Sequence, residues 1–220
     1  MALAGFESYS GLVMSVNVLT GIPGSGKSLR AAEIIYWKLR THQPVICNFD
    51  INRAYPELDY DCFILVDDYE VSPSFLRDFA QNYFVDRPIR EGAITLILDE
   101  CASPVLFSCR TWQNKNRPNW ITFFQQHRKM GFECYLITQD INNLDKAIRA
   151  VIGYEINFRK LNDLPFIGAF FNIFRRPMII GVKYYLPLKT TFKRSARVGS
   201  DFTFGLKKYM NLYDTFALFD

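Results

Sequence analysis

The stretch GIPGSGKS, residues 21–28, decides the fold. It fits the spacing G-x-x-x-x-G-K-S. Gly21, Gly24 and Gly26 let the backbone wrap so that successive N–H groups face one point, while Lys27 reaches that point and Ser28 offers a hydroxyl. Such an array suits phosphate oxygens, and at background residue frequencies a chance match in a chain of this length is roughly 1%. The flanks agree with it. LVMSVNVLT (12–20) is a β-rich apolar run, and KSLRAAEIIYWKLR (27–40) keeps Leu29, Ala32, Ile35 and Leu39 on one helical face. Strand, glycine loop and helix in that order put an anionic ligand at a helix N-terminus. The expected nucleotide-binding residues are Gly21, Ile22, Pro23, Gly24, Ser25, Gly26, Lys27, Ser28 and Leu29. ATP is the expected nucleotide, since no guanine-reading motif is present, and Ser28 is an expected ligand of Mg2+.

Further along, PVICNF (44–49), CFILV (62–66) and AITLIL (93–98) are continuous apolar runs of the kind found in strands covered on both faces. SPSFLRDFAQNYF predicts a helix capped by Ser72 with Pro73 in its first turn. ITFFQQHRKM continues a helix that puts Trp120, Phe123, Phe124 and His127 on one face, and Gly131 is a natural stop. FECYLIT (132–138) is the next strand, and DINNLDKAIRAVI predicts another helix with Asp140 as its cap. PMIIGVKYYLPL (177–188) is a strand in a Phe-rich, β-rich stretch. The expected fold is α/β: a P-loop NTPase with a RecA-like, mostly parallel sheet flanked by helices and a small β-containing C-terminal extension. Residues 1–160 form the expected core, and residues 161–220 the basic, aromatic-rich extension packed on it.

LILDE (96–100) ends a buried strand in two acids. A carboxylate there can hold the water shell of magnesium and its neighbour can polarise an attacking water, which assigns Asp99 to the metal and Glu100 to catalysis. ILVDD (64–68) is a rival; its other reading is that Asp67 and Asp68 cap the following turn. In P-loop hydrolases with a strand inserted between the loop strand and the acidic strand, the inserted strand commonly ends in a polar residue that senses the outer phosphate. Gln139 ends YLIT and takes that place. His127 belongs to helix packing. Arg128 and Lys129 are open between solvated helix-end charges and groups facing a neighbouring subunit. A motor that assembles needs a cation delivered to the transferring phosphate, and Arg149 and Arg159 are the candidates, which spacing does not separate. Lys27, Glu100, Gln139, Arg149 and Arg159 are thus the expected catalytic set. Acids after a buried strand and a polar strand end favour water as acceptor, hence an ATPase. A small-molecule kinase and a non-hydrolysing scaffold remain the alternatives.

Composition bounds these readings. The chain has 220 residues, 49% hydrophobic and 16% aromatic, which suits one sizeable core and excludes a disordered chain. Five cysteines without a CxxC pair fit reduced thiols, and two histidines exclude a histidine-rich metal centre. No signal-peptide pattern and no run of 18 apolar residues occurs. The net charge of +4 is uneven: residues 1–140 carry 13 Lys/Arg against 16 Asp/Glu, and residues 141–220 carry 13 against 6. Residues 175–208 hold nine of these cations with Asp201 as the only acid, a stretch suited to nucleic acid, anionic lipid or an acidic partner.

GIPGSGKSL, LILDE and HRKMGFECYLITQD followed by IRAVI together resemble the N-terminal cytoplasmic domain of the zonular occludens toxin family, which includes the gene I assembly proteins of filamentous phages. The resemblance covers most of residues 12–160 and continues less specifically to YDTFALFD. It implies a homo-oligomeric P-loop ATPase on the cytoplasmic face of the bacterial inner membrane. Its implied work is to power virion assembly and export of phage single-stranded DNA, with coat proteins and an outer-membrane channel as partners. It also implies that Lys27 and Ser28 hold phosphate and magnesium, that Asp99 and Glu100 are the Walker B pair, and that Gln139 is the sensor. Family members continue into a transmembrane helix, so this chain is expected to be the soluble portion of a longer protein, the alternative being a variant held to the membrane by partners. The basic end would then lie just before the membrane on its cytoplasmic side.

Overall fold

The computed structural model describes residues 16–110, 116–160, 178–186, 196–204 and 207–213. The start of the first expected strand, the cations Arg175, Arg176, Lys189, Lys193 and Arg194, and the stretch after Tyr213 lie outside them. The elements are β1 (Val16–Thr20), α1 (Lys27–Arg40), β2 (Val45–Cys47), β3 (Phe63–Leu65), α2 (Pro73–Tyr83), β4 (Ile94–Leu98), α3 (Arg117–Gln126), β5 (Phe132–Ile137), α4 (Lys146–Val151), β6 (Ile152–Lys160), β7 (Met178–Tyr185) and β8 (Arg197–Phe204), followed by a short helix, Lys207–Met210.

All eight strands form one sheet in the order β3-β2-β4-β5-β1-β6-β7-β8. β3 through β6 run parallel, and β7 and β8 continue the same sheet antiparallel. The loop strand β1 is central, and β5 separates it from the acidic strand β4, as the reading of Gln139 required. β1 and β4 are buried at every position, which is why they appear in sequence as unbroken apolar runs.

Strand alternation divides the interior into two layers. Leu19, Ile97, Tyr135 and Ile137 face α1, which meets them with Ala31, Ala32, Ile35 and Leu39. Val18, Leu96, Leu98, Cys134 and Leu136 face the other way, against Leu76 of α2, Ile148 of α4 and the aromatic side of α3. That side carries the expected Trp120, Phe123 and Phe124. Phe107 inserts between them with its ring 5.0 Å from Trp120 and 5.7 Å from Phe124, and edge-on pairs of this kind add about 0.5–1.5 kcal/mol each beyond area burial.

Ser72 caps α2 through Phe75 N–H with Pro73 in the first turn, and Gly131 stops the α3 segment at φ 78°. At residue 140 the expectation is corrected. Asp140 caps only a 3₁₀ turn, Ile141–Asn143, and α4 starts later under its own cap, Asp145, which accepts from Ala147 N–H. Leu144, fully buried, pulls the chain inward between the two caps and ends the first turn. The five cysteines are free thiols, three of them buried. No helix among the described residues is long and apolar enough to cross a membrane.

Candidate functional site

The loop after β1 is built by glycine geometry. Gly21, Gly24 and Gly26 have φ of 144°, 73° and 103°, a region that L side chains enter at a cost of about 1–2 kcal/mol. Two of them are also enclosed. A Cβ on Gly21 would meet Ser25 Oγ at 2.5 Å and the Phe158 carbonyl at 2.7 Å, and one on Gly26 would strike the Ile179 side chain. Gly24 has nothing within 4 Å. The loop is therefore packed from beneath by β6 and β7 and open at its crest, where Ile22 stands 73% exposed.

Lys27 opens α1 and folds back over the loop, its ammonium donating to the carbonyls of Gly21 at 2.7 Å and Ile22 at 3.1 Å. Burial lowers its pKa, and the negative charge of Asp99 works in the opposite sense. An ammonium held only by carbonyl oxygens, with a negative charge acting on it from the end of β4, is an arrangement that suits an anionic ligand. Beneath it the buried Ser25 Oγ has no hydrogen-bond partner among the described residues. Ser28 and Leu29, in the first turn of α1, are half-buried.

Asp99 is fixed by its neighbours. Asn48, just beyond β2, extends the sheet ladder with its side chain: its Oδ1 accepts from Asp99 N–H at 2.7 Å and its Nδ2 donates to the Asp99 carbonyl at 3.0 Å. One carboxylate oxygen accepts from Glu100 N–H at 2.7 Å, and the other accepts from the Tyr213 hydroxyl at 2.8 Å. Glu100 follows in an unusual conformation, at φ 48° and exposed. A non-glycine residue held in the left-handed region is strained, and such strain clusters at working sites. Gln139 is exposed at the end of β5, and its carbonyl accepts from Gly21 N–H at 3.1 Å, tying that strand end to the loop.

The rival acids lie farther off. β3 is the edge strand, four places from β1. Asp67 accepts from Tyr69 N–H, which is turn-capping, and Asp68 accepts from Asn48 Nδ2 at 2.7 Å. Burial raises the Asp68 pKa, with Asp67 and Asp99 adding to the effect. His127 is buried, donates through Nδ1–H to the Phe124 carbonyl at 2.6 Å, and belongs to packing. Arg128 pairs with Glu91 at 3.1 Å on the surface of the same chain, while Lys129 is exposed. Arg149 is half-buried and donates to Asn142 Oδ1 at 3.1 Å, whereas Arg159 stands exposed on β6, the strand beside β1.

Two participants escape a sequence reading. Asn48 leaves one weak signal, a polar residue directly after a buried strand. Tyr213 leaves none, since it meets Asp99 across 114 residues of chain. Its phenol, pushed up by burial and by the charge of Asp99, also meets the Ser28 hydroxyl, and its ring lies 4.9 Å from Phe49. Among the described residues no three His, Cys, Asp or Glu side chains cluster as a metal cage. The donors present, one hydroxyl and one carboxylate beside a phosphate-type loop, fit magnesium, which keeps most of its waters and takes its other ligands from phosphate.

The comparisons with known proteins agree with this architecture. A family model described as zonular occludens toxin (Zot) matches residues 15–200. The Gene 1 protein of Escherichia phage If1 is 28% identical over 193 residues, covering 79% of this chain and 49% of that protein. The Gene 1 protein of Enterobacteria phage M13 is 26% identical over 193 residues with the same coverage, 79% and 49%. The chain thus spans about half the length of the curated relatives it matches. The crystal structure of the N-terminal domain of zonular occludens toxin from Neisseria meningitidis superposes with a TM-score of 0.54 at 18% identity, covering 92% of this chain and 100% of that one. A second solved structure, described as an ATPase domain, gives a TM-score of 0.54 at 10% identity, with 91% of this chain and 84% of that one covered. These likenesses show the fold, a mostly parallel sheet flanked by helices with the glycine loop after its central strand.

Proposed function

The chain belongs to the zonular occludens toxin family, and from that premise we propose that it is a magnesium-dependent ATPase that powers assembly and export of a filamentous phage. The observation that carries the reading is the convergence of three strand ends on one loop. Lys27 and Ser28 follow β1, Gln139 follows β5 and is tied to Gly21, and Asp99 and Glu100 follow β4 with Asp99 acting on Lys27.

In this reading the backbone N–H groups of residues 21–28 and the ammonium of Lys27 hold the phosphates. Ser28 and Asp99 hold magnesium, which supplies neutralisation of the phosphate charge. Glu100 accepts a proton from the attacking water, and Gln139 orients that water or senses the departing phosphate. Arg149 or Arg159 of an adjacent copy supplies the remaining cation. Arg159 is favoured by its exposure beside the loop strand, since Arg149 is engaged with Asn142 of its own chain. The partners proposed from the family are coat proteins, an outer-membrane channel, phage single-stranded DNA and the host inner membrane.

The test is phosphate release without any added acceptor. Turnover by the wild type that falls about 10²–10⁴-fold in Glu100→Gln, with ATP binding retained, fits a general base. If Asp68→Asn produces that loss and Glu100→Gln does not, the assignment of the acids is wrong.

A further inference from the structure

Residues 207–213 lie against α1 on the sheet face that it covers. The Lys208 ammonium sits 4.2 Å from the Tyr36 ring centre, and Tyr209 packs edge-on to Tyr36 and accepts from Trp37 Nε1 at 3.1 Å. Leu212 is fully buried, and its carbonyl accepts from Asn52 N–H at 2.9 Å. These anchors deliver Tyr213, whose hydroxyl donates to Asp99 Oδ2 at 2.8 Å and meets Ser28. The phenol therefore holds the carboxylate assigned to magnesium from the Ser28 side, and the other Asp99 oxygen is already engaged by Glu100 N–H. A magnesium ion requires near-octahedral oxygens at about 2.0–2.1 Å and retains several waters. The phenol and that water shell compete for the same carboxylate oxygen, Asp99 Oδ2.

We propose that Tyr213 is a latch on the metal site: its hydroxyl must leave Asp99 before the site takes magnesium nucleotide, and its departure loosens residues 207–213 from α1. The latch rests on the reading of Ser28 and Asp99 as partners of the metal. A short helix held through ring contacts opens more readily than a strand in the sheet. The apparent metal affinity is then reduced by the fraction of molecules whose latch is open.

The experiment titrates magnesium against a fluorescent ATP analogue on wild type and Tyr213→Phe. It also follows hydrogen exchange at the Asn52 amide of the wild type, with ATP in EDTA and with ATP plus magnesium. Phenylalanine keeps the ring against Phe49 but cannot donate, so the magnesium midpoint falls roughly ten- to a hundredfold, the worth of a hydrogen bond to a charged group, while binding in EDTA is unchanged. Asn52 exchanges faster with magnesium and ATP together and not with ATP alone. An unchanged or raised midpoint in Tyr213→Phe, or an Asn52 amide equally protected in both conditions, overturns the latch even where the nucleotide binds. A wild type that binds no nucleotide in either condition overturns the ATPase reading, and the latch falls with it.

Discussion

At the scale of single residues, Glu100 separates stability from function most sharply. Its φ of 48° stores strain, so Glu100→Gly should leave the fold as stable or more stable, by up to about 1 kcal/mol, while turnover is lost. Thermal melts and phosphate release on the same sample check both halves. Lys27 behaves in the opposite way. Among the described residues its ammonium bonds only to loop carbonyls, so Lys27→Ala should weaken nucleotide binding by roughly a hundredfold and leave the melting temperature close to that of the wild type. The P-loop was legible because its chemistry is local: eight consecutive residues carry the glycines, the lysine and the hydroxyl. The remainder of the site was legible only in part. Asp99 and Glu100 announce themselves at the end of a buried strand. Asn48 and Tyr213 reach Asp99 from 51 and 114 residues away, and no local pattern records such a contact.

At the scale of elements, apolar periodicity located the strands and helices well, because most of them bury a continuous run or a single face. It failed at residue 140, where two acids five residues apart each offer a cap and only tertiary packing of Leu144 shows that the helix belongs to the second. Asp145 also accepts both nitrogen contacts from Arg117 Nη2, at 2.8 and 2.9 Å. Asp145→Ala should therefore cost about 1–2 kcal/mol, mostly as the lost cap, measured by denaturant midpoint. The α3 segment supplies a pH dependence. Burial lowers the His127 pKa below its ordinary 6.5, so the folded state binds this proton less readily than the unfolded chain. The contribution is intact above about pH 6.5 and is lost as pH falls below that value and through the folded pKa. His127→Gln should flatten the decline of stability with acid across that window in a series of pH-dependent melts.

At the scale of the whole molecule, one sheet carries both the parallel strands around the loop and the antiparallel β7 and β8, with Ile179 of β7 directly under Gly26. Assembly adds a further requirement, since the proposed cation comes from an adjacent copy. Mixing Arg159→Ala with Lys27→Ala should restore part of the activity that each lacks alone, and phosphate release should rise faster than linearly with protein concentration. Strict proportionality from dilute monomer upward argues against a shared site. Hydrolysis of ATP at the loop of residues 21–28 is checked by phosphate release from the purified protein with ATP, magnesium and no acceptor. The expected result is turnover that EDTA abolishes, that Lys27→Ala loses with binding, and that Glu100→Gln loses without losing binding. Tight ATP binding with no phosphate release at any protein concentration, or release unchanged in both variants, would contradict it.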